Sequence, residues 1–180
     1  MNLQKPIAFV DVETTGTDPS KHEIIELGVI VARLKDGVFD IIEEIDLKIQ
    51  PKHIEDAEPQ ALRVNGYNDA DWLFAVSREE AMKDFIKKTD GAIFTSHNLV
   101  FDYSFVQAAL KECGLEDTMH FHKLDTISMA FGAHHDSDDL NKFSLRALCE
   151  HYGIENKKAH SAYADTYALF EVFKKLLNLK

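Results

Sequence analysis

Only two cysteines, Cys113 and Cys149, occur in 180 residues, which excludes a disulfide framework as the source of stability. They lie far apart, form no metal-binding spacing, and read as buried small apolar residues in a reducing compartment. Proline and glycine are sparse, at 4 and 8 residues, which rules out a collagen-like or low-complexity chain. No apolar run reaches the length that spans a membrane. The opening MNLQKPIAFVDVE lacks the basic stretch and apolar segment of a secretory signal. The expectation is a soluble, cytoplasmic protein. Bases are outnumbered, 20 Lys and Arg against 31 Asp and Glu, giving a net charge of −11. Such a chain is a poor candidate for coating long nucleic acid, which needs many phosphate contacts. An enzyme that grips only a chain end, with divalent cations offsetting part of the acid excess, is compatible with that charge.

The rest of the composition is that of a globular protein, 45% hydrophobic and 28% charged, and its length fits one domain over 1–180. Residues 6–13 (PIAFVDVE) read as a buried strand that ends in acids and a Thr-Gly turn. The runs 23–34 and 38–49 read as two further strands, and Lys35-Asp36-Gly37 between them carries an Asp-Gly hairpin signal. Helical patterning follows at 56–64 and at 77–89, where Ser77 and Glu80 have capping-box spacing. A strand is expected at 91–96, a helix at about 100–113, and a fifth strand at 119–125. Asp125 is placed to cap the next helix. Amphipathic helices at 143–152 and about 161–178 complete the chain. Three strands followed by alternating helices and strands imply an α/β fold. Its mixed five-stranded sheet has the first three strands antiparallel and is flanked by helices.

Three clusters carry the chemistry. In Asp11-Val12-Glu13 the acids sit two apart on a strand and therefore share a face. At the end of a buried strand they repel and lose hydration unless a cation lies between them, and hard oxygen donors suit Mg²⁺ or Mn²⁺. Taken alone, the pair reads more readily as a strand reaching solvent. The turn Thr14-Thr15-Gly16 beside it could hold a substrate hydroxyl or phosphate. The second cluster, Ser96 to Asp102, takes a strand into a helix and puts Asp102 in its first turns. The bland readings are a dipole contact for Asp102 and an N-cap for Asn98; the functional ones are a ligand and a substrate contact. The third runs from His160 to Asp165. Five helical residues rotate by about 500°, so the two act together only if His160 lies on the preceding loop. A histidine there can swing, and the ordinary imidazole pKa of about 6.5 suits a general base. Alone, it reads as an exposed loop residue.

In order and local sequence, Asp11 to Gly16 (DVETTG), His97 to Asp102 (HNLVFD) and His160 to Asp165 (H-x4-D) resemble the DEDDh exonucleases of the ribonuclease H-like superfamily. That group includes the proofreading epsilon subunit of bacterial DNA polymerase III and ribonuclease T. The resemblance spans nearly the whole chain. It implies a ribonuclease H-like fold and a 3′–5′ exonuclease, in which Asp11, Glu13, Asp102 and Asp165 hold two Mg²⁺ or Mn²⁺ ions and His160 acts as general base. Thr14, Thr15 and Asn98 become candidates to fix the terminal nucleotide. The implied substrate is a single-stranded or frayed 3′ end of nucleic acid, read as DNA, with an RNA-directed activity as the alternative. A polymerase partner is left open. Two departures bear on substrate preference: Thr17 stands where many relatives carry a large apolar wedge, and Asn65-Gly66-Tyr67-Asn68 stands near where many carry Gly-Ile-Thr.

Other histidines and bases are expected to be structural or solvated. His134-His135-Asp136 with Asp138-Asp139 offers ligand types without a fixed geometry. His120 and His122 alternate on the expected fifth strand without acids beside them. Lys157-Lys158 reads as a solvated loop before a phosphate contact. A ribonuclease H-like endonuclease would also cluster acids, but His160 ahead of Asp165 favours the exonuclease; the five intact positions argue against a binding module.

Overall fold

The computed structural model describes residues 5–137, 140–156 and 160–178. Five strands form one sheet: β1 (Ile7–Thr14), β2 (Ile24–Lys35), β3 (Val38–Lys48), β4 (Ile93–Ser96) and β5 (Leu124–Asp125), in the order β3-β2-β1-β4-β5. The first three are antiparallel, and β4 and β5 run parallel to β1. Asp36 and Gly37 join β2 to β3 with φ of 51° and 81°. Positive φ at both residues is the turn whose twist matches a hairpin, and Asp-Gly tolerates it.

Among the described residues, six α-helices cover the sheet: α1 (Pro59–Asn65), α2 (Arg78–Thr89), α3 (Leu99–Glu112), α4 (Thr126–His134), α5 (Leu145–Tyr152) and α6 (Ala162–Leu176). The capping box of Ser77 and Glu80 opens α2, and Ser144 accepts the Ala147 amide to open α5. Asp125 caps α4 through the Ser128 amide at 2.7 Å, and its other oxygen accepts the Leu99 amide of α3 at 2.9 Å. One carboxylate thus starts two helices. Asn98 occupies the cap position of α3, but its side chain makes no capping bond.

Alternation along β1 splits the core. Ala8, Val10 and Val12 face the cluster built with Phe85, Phe105 and Val106 of α2 and α3. Ile7 and Phe9 face Leu169, Phe170 and Phe173 of α6. Asp11 and Glu13 continue this second face, so α6, running back over β1, brings its N-terminal turn above them.

The structure corrects the fifth strand. Only Leu124 and Asp125 pair with β4, which is itself four residues long. Residues 119–123 lie outside the strand, so His120 and His122 do not alternate on one. His120 makes a single backbone bond to Ala92 (2.9 Å), and its ring accepts the His122 amide. The helix expected at 56–64 divides into a short 3-10 turn (Ile54–Asp56) and α1, because Pro59 can only open a helix. Cys149 is buried, Cys113 is half-buried, and both are free thiols.

Candidate active site

Four acids reach one place from three elements. Asp11 and Glu13 come from the end of β1, Asp102 from the first turn of α3 and Asp165 from the first turn of α6. Beyond Phe9, β1 has no further partner in β4. The Val12 amide turns instead to Asp102 Oδ1 at 3.2 Å, which fixes that carboxylate against the strand. Asp165 accepts the His160 amide at 2.9 Å and the Asn156 side chain on its other oxygen.

His160 lies on the loop before α6, exposed, with φ of 70°. That left-handed backbone is uncommon for a residue with a side chain. Here it turns the chain so that the His160 amide meets Asp165 while the ring reaches the acids. Ligating atoms of Glu13, His160 and Asp165 lie within 4.8 Å of one another.

The electrostatics are those of a cation site. Burial raises the proton affinity of Asp11 well above the carboxylate range, and Asp102, Asp165, Glu13 and Glu26 raise it further. Burial pushes Glu13 up to about 8, with Asp165, Glu26 and Asp102 adding repulsion. Asp102 is raised mainly by burial, against the pull of the Val12 amide. Among the described residues no lysine or arginine pairs with these four acids; Lys48 reaches only Glu26, at 3.6 Å. Concentrated hard oxygen donors without a counter-charge fit Mg²⁺ or Mn²⁺.

The candidate substrate contacts divide. Thr14 and Gly16 line a cavity of about 310 Å³ with Glu13, Thr17, Glu58, Val64, Asn65 and Phe101. The Thr14 hydroxyl donates to the Gly16 carbonyl (2.7 Å), and the Thr15 hydroxyl is buried, accepting the Glu23 amide (2.8 Å). These bonds hold both hydroxyls in place and leave Thr14 able to accept and Thr15 able to donate. Asn98 is exposed. A second cavity, about 560 Å³, is lined by His160, Asp165, Asn156, Cys149 and Arg146 among others. Among the described residues, the 133–142 loop gathers no three ligating atoms. Asp138, Asp139, Lys157 and Lys158 fall outside the described residues.

Three residues that sequence reasoning passed over complete the site. Glu26, opposite Glu13 in the β1–β2 register, is buried and accepts the Ala162 amide at 3.1 Å, which holds the start of α6. An acid within the apolar run Ile24 to Val31 was its available signal, since a buried charge requires partners. Asn156 orients Asp165. Gly28, opposite Asp11, lies so close to α6 that a Cβ there would stand 2.3 Å from the Ala162 carbonyl oxygen. Gly28→Ala is therefore expected to push α6 off the sheet, lowering stability by about 1–3 kcal/mol. Thermal melting checks this; an unchanged Tm would show that the contact yields freely.

Comparison with known proteins decides the family. Residues 8–173 match the exonuclease family model, RNase_T. The chain belongs to the exonuclease family. Ribonuclease T of Shewanella sp. strain ANA-3 is 31% identical over 184 residues, covering 94% of this chain and 80% of that protein. Ribonuclease T of Vibrio parahaemolyticus is 32% identical over 189 residues, covering 94% and 84%. The fold resembles Escherichia coli Exonuclease I in complex with a dT13 oligonucleotide, with a TM-score of 0.80 at 21% identity. That match covers 96% of this chain and 41% of the other, so the chain spans about two fifths of that enzyme. As a member of the family the exonuclease is a hydrolase of the 3′–5′ type, with the ribonuclease H-like sheet expected. The family is divalent-metal dependent. The resemblance to the polymerase proofreading subunit rests on the three motifs alone. Among the described residues no helix is long and apolar enough to cross a membrane.

Proposed function

We propose that this exonuclease releases 5′-mononucleotides from single-stranded 3′ ends, with Asp11, Glu13, Asp102 and Asp165 holding two Mg²⁺ or Mn²⁺ ions. The observation that carries this reading is the gathering of four acids, with Asp11, Glu13 and Asp102 raised in proton affinity and His160 beside them. When bound, such ions lower the pKa of water and neutralise charge on attacking and leaving oxygens. The residues of the chain supply the rest. His160 takes the proton from the attacking water, and its loop, tied to Asp165 through one amide, lets the ring move while the carboxylate stays fixed. The cavity bounded by Thr14, Gly16, Val64 and Phe101 takes the terminal nucleotide, its apolar wall facing the base. Exposed Thr17, bonded to Glu58 at 3.2 Å, offers this cavity a polar rim in place of an apolar wedge.

DNA is the first substrate proposed, in keeping with the sequence and with the oligonucleotide in the Exonuclease I complex. The similarity to ribonuclease T over four fifths of its length favours a second, RNA-directed reading. A cytoplasmic location belongs to the same proposal. Matched DNA and RNA oligomers labelled at the 5′ end, incubated with and without chelator, test both. A stepwise ladder that vanishes with chelator is expected, and the faster polymer identifies the substrate. Internal cuts or indifference to chelator would remove the proposal. His160→Ala is expected to keep its melting shift on Mn²⁺ addition and to lose about 10²- to 10⁴-fold in turnover. Unchanged turnover would exclude His160 as the base.

A further inference from the structure

Arg78 stands where elementary electrostatics disfavours it. It is the first residue of α2, at the positive end of a helix dipole, and only 9% of its surface is exposed. A buried guanidinium requires carboxylate partners. It has two: Glu23 at 2.8 Å, itself 9% exposed, and Glu112 at the end of α3. The second oxygen of Glu23 accepts the backbone amides of Lys52 (2.9 Å) and His53 (2.8 Å). One carboxylate thereby joins the start of β2, the segment after β3 and α2.

From Glu23 the bonds lead to the proposed nucleotide cavity. The Thr15 amide donates to the Glu23 carbonyl at 2.9 Å, and the Glu23 amide donates to the Thr15 hydroxyl. The Thr15 carbonyl accepts the Glu58 amide at 2.7 Å, and Asn65 donates to the Thr14 carbonyl at 3.0 Å. Thr14, Gly16, Glu58 and Asn65 all line the cavity. Its wall hangs on a continuous set of bonds that leads back to Arg78, which does not itself line the cavity. Through Glu112 the same guanidinium holds the end of the helix that carries Asp102.

We propose that Arg78 and Glu23 are positioning residues: they fix the Thr14–Gly16 loop and so shape the terminal-nucleotide cavity without touching substrate. This rests on the cavity being the nucleotide site. An ion pair suits the role because a carboxylate gathers several amides at once, which an apolar side chain cannot do.

Removing one partner would strand a buried charge and risk the fold, so the test removes both. The double variant Arg78→Met with Glu23→Leu is compared with the parent and with Arg78→Lys, which keeps the cation. For oligonucleotide hydrolysis, the double variant is expected to raise KM about tenfold or more with kcat changed far less, the signature of lost ground-state positioning. Arg78→Lys is expected to recover most of that loss. Hydrogen exchange, which needs no activity, is expected to quicken at the Thr15 and Glu23 amides by about tenfold or more while β1 stays protected. A lowered Tm with KM within about twofold of the parent would mark the pair as merely structural and overturn the proposal. Unchanged exchange at Thr15 would overturn it equally. A parent chain that degrades no oligonucleotide, with exchange quickened in the variant, would overturn the reading of the cavity and leave the brace itself intact.

Discussion

Asp11→Asn is expected to abolish nuclease activity and, in the absence of divalent cations, to make the protein more stable. Asp11 is the acid in most contact with the others: burial raises its proton affinity first, and four carboxylates raise it further. Without a cation these charges repel in a setting where water cannot screen them. Asparagine keeps the shape and removes one charge. Relief of that repulsion is expected to raise the Tm measured in chelator at pH 8 by a few degrees, since about 1 kcal/mol moves the Tm of a domain of this size by about 2–4 °C. The same substitution withdraws an oxygen donor from the reaction centre, and turnover is expected to fall at least about 10³-fold, or about 4 kcal/mol of transition-state stabilisation. The parent should gain stability on adding Mg²⁺ and the variant should not. A variant that melts lower in chelator, or keeps measurable turnover, would show that Asp11 is an ordinary structural acid.

The parts of this arrangement that were legible in the sequence were those governed by local periodicity. Two acids at spacing two on an apolar strand must share a face, and Asp11 and Glu13 do. Helix rotation required His160 to precede the last helix, and it lies on that loop with Asp165 in the first turn. Asp36-Gly37 turned as its backbone freedom dictates. The misses share a cause in contacts between distant segments. Residues 119–125 alternate as a strand does, but a strand extends only as far as its neighbour, and β4 ends after four residues. Glu26 and Ala162, 136 positions apart, cannot be paired by any local rule. The expectation of two ions comes from family resemblance; the donors and their unmet charge point only to a hard divalent cation.

That unmet charge has a further consequence in pH. Metal-free protein is expected to lose stability as pH rises from about 6.5 to about 8, and Mg²⁺ to reverse the trend. Glu13 titrates at about 8 in the folded chain against an ordinary 4.5. Between those values the folded state keeps a proton that the unfolded chain has released, so each rise in pH favours unfolding. The stabilising proton is fully held below about 4.5 and lost above about 8. Asp11 and Asp102 shift in the same direction and add to the slope. His97 opposes it, since burial lowers its pKa from the ordinary 6.5 and the folded state there binds fewer protons. That opposition ends near 6.5, which leaves the window above it to the carboxylates. Glu13 is partly open to solvent, so the loss is discounted to the order of 3 kcal/mol across the full span. Cation binding requires deprotonated ligands. Mg²⁺ should therefore raise Tm strongly at pH 8 and little at pH 5.5, and turnover should climb through the same interval. Melting curves in chelator and in Mg²⁺ across this range decide it: a Tm in chelator that is flat or rising between pH 6.5 and 8 would mean that the acids do not share one uncompensated site.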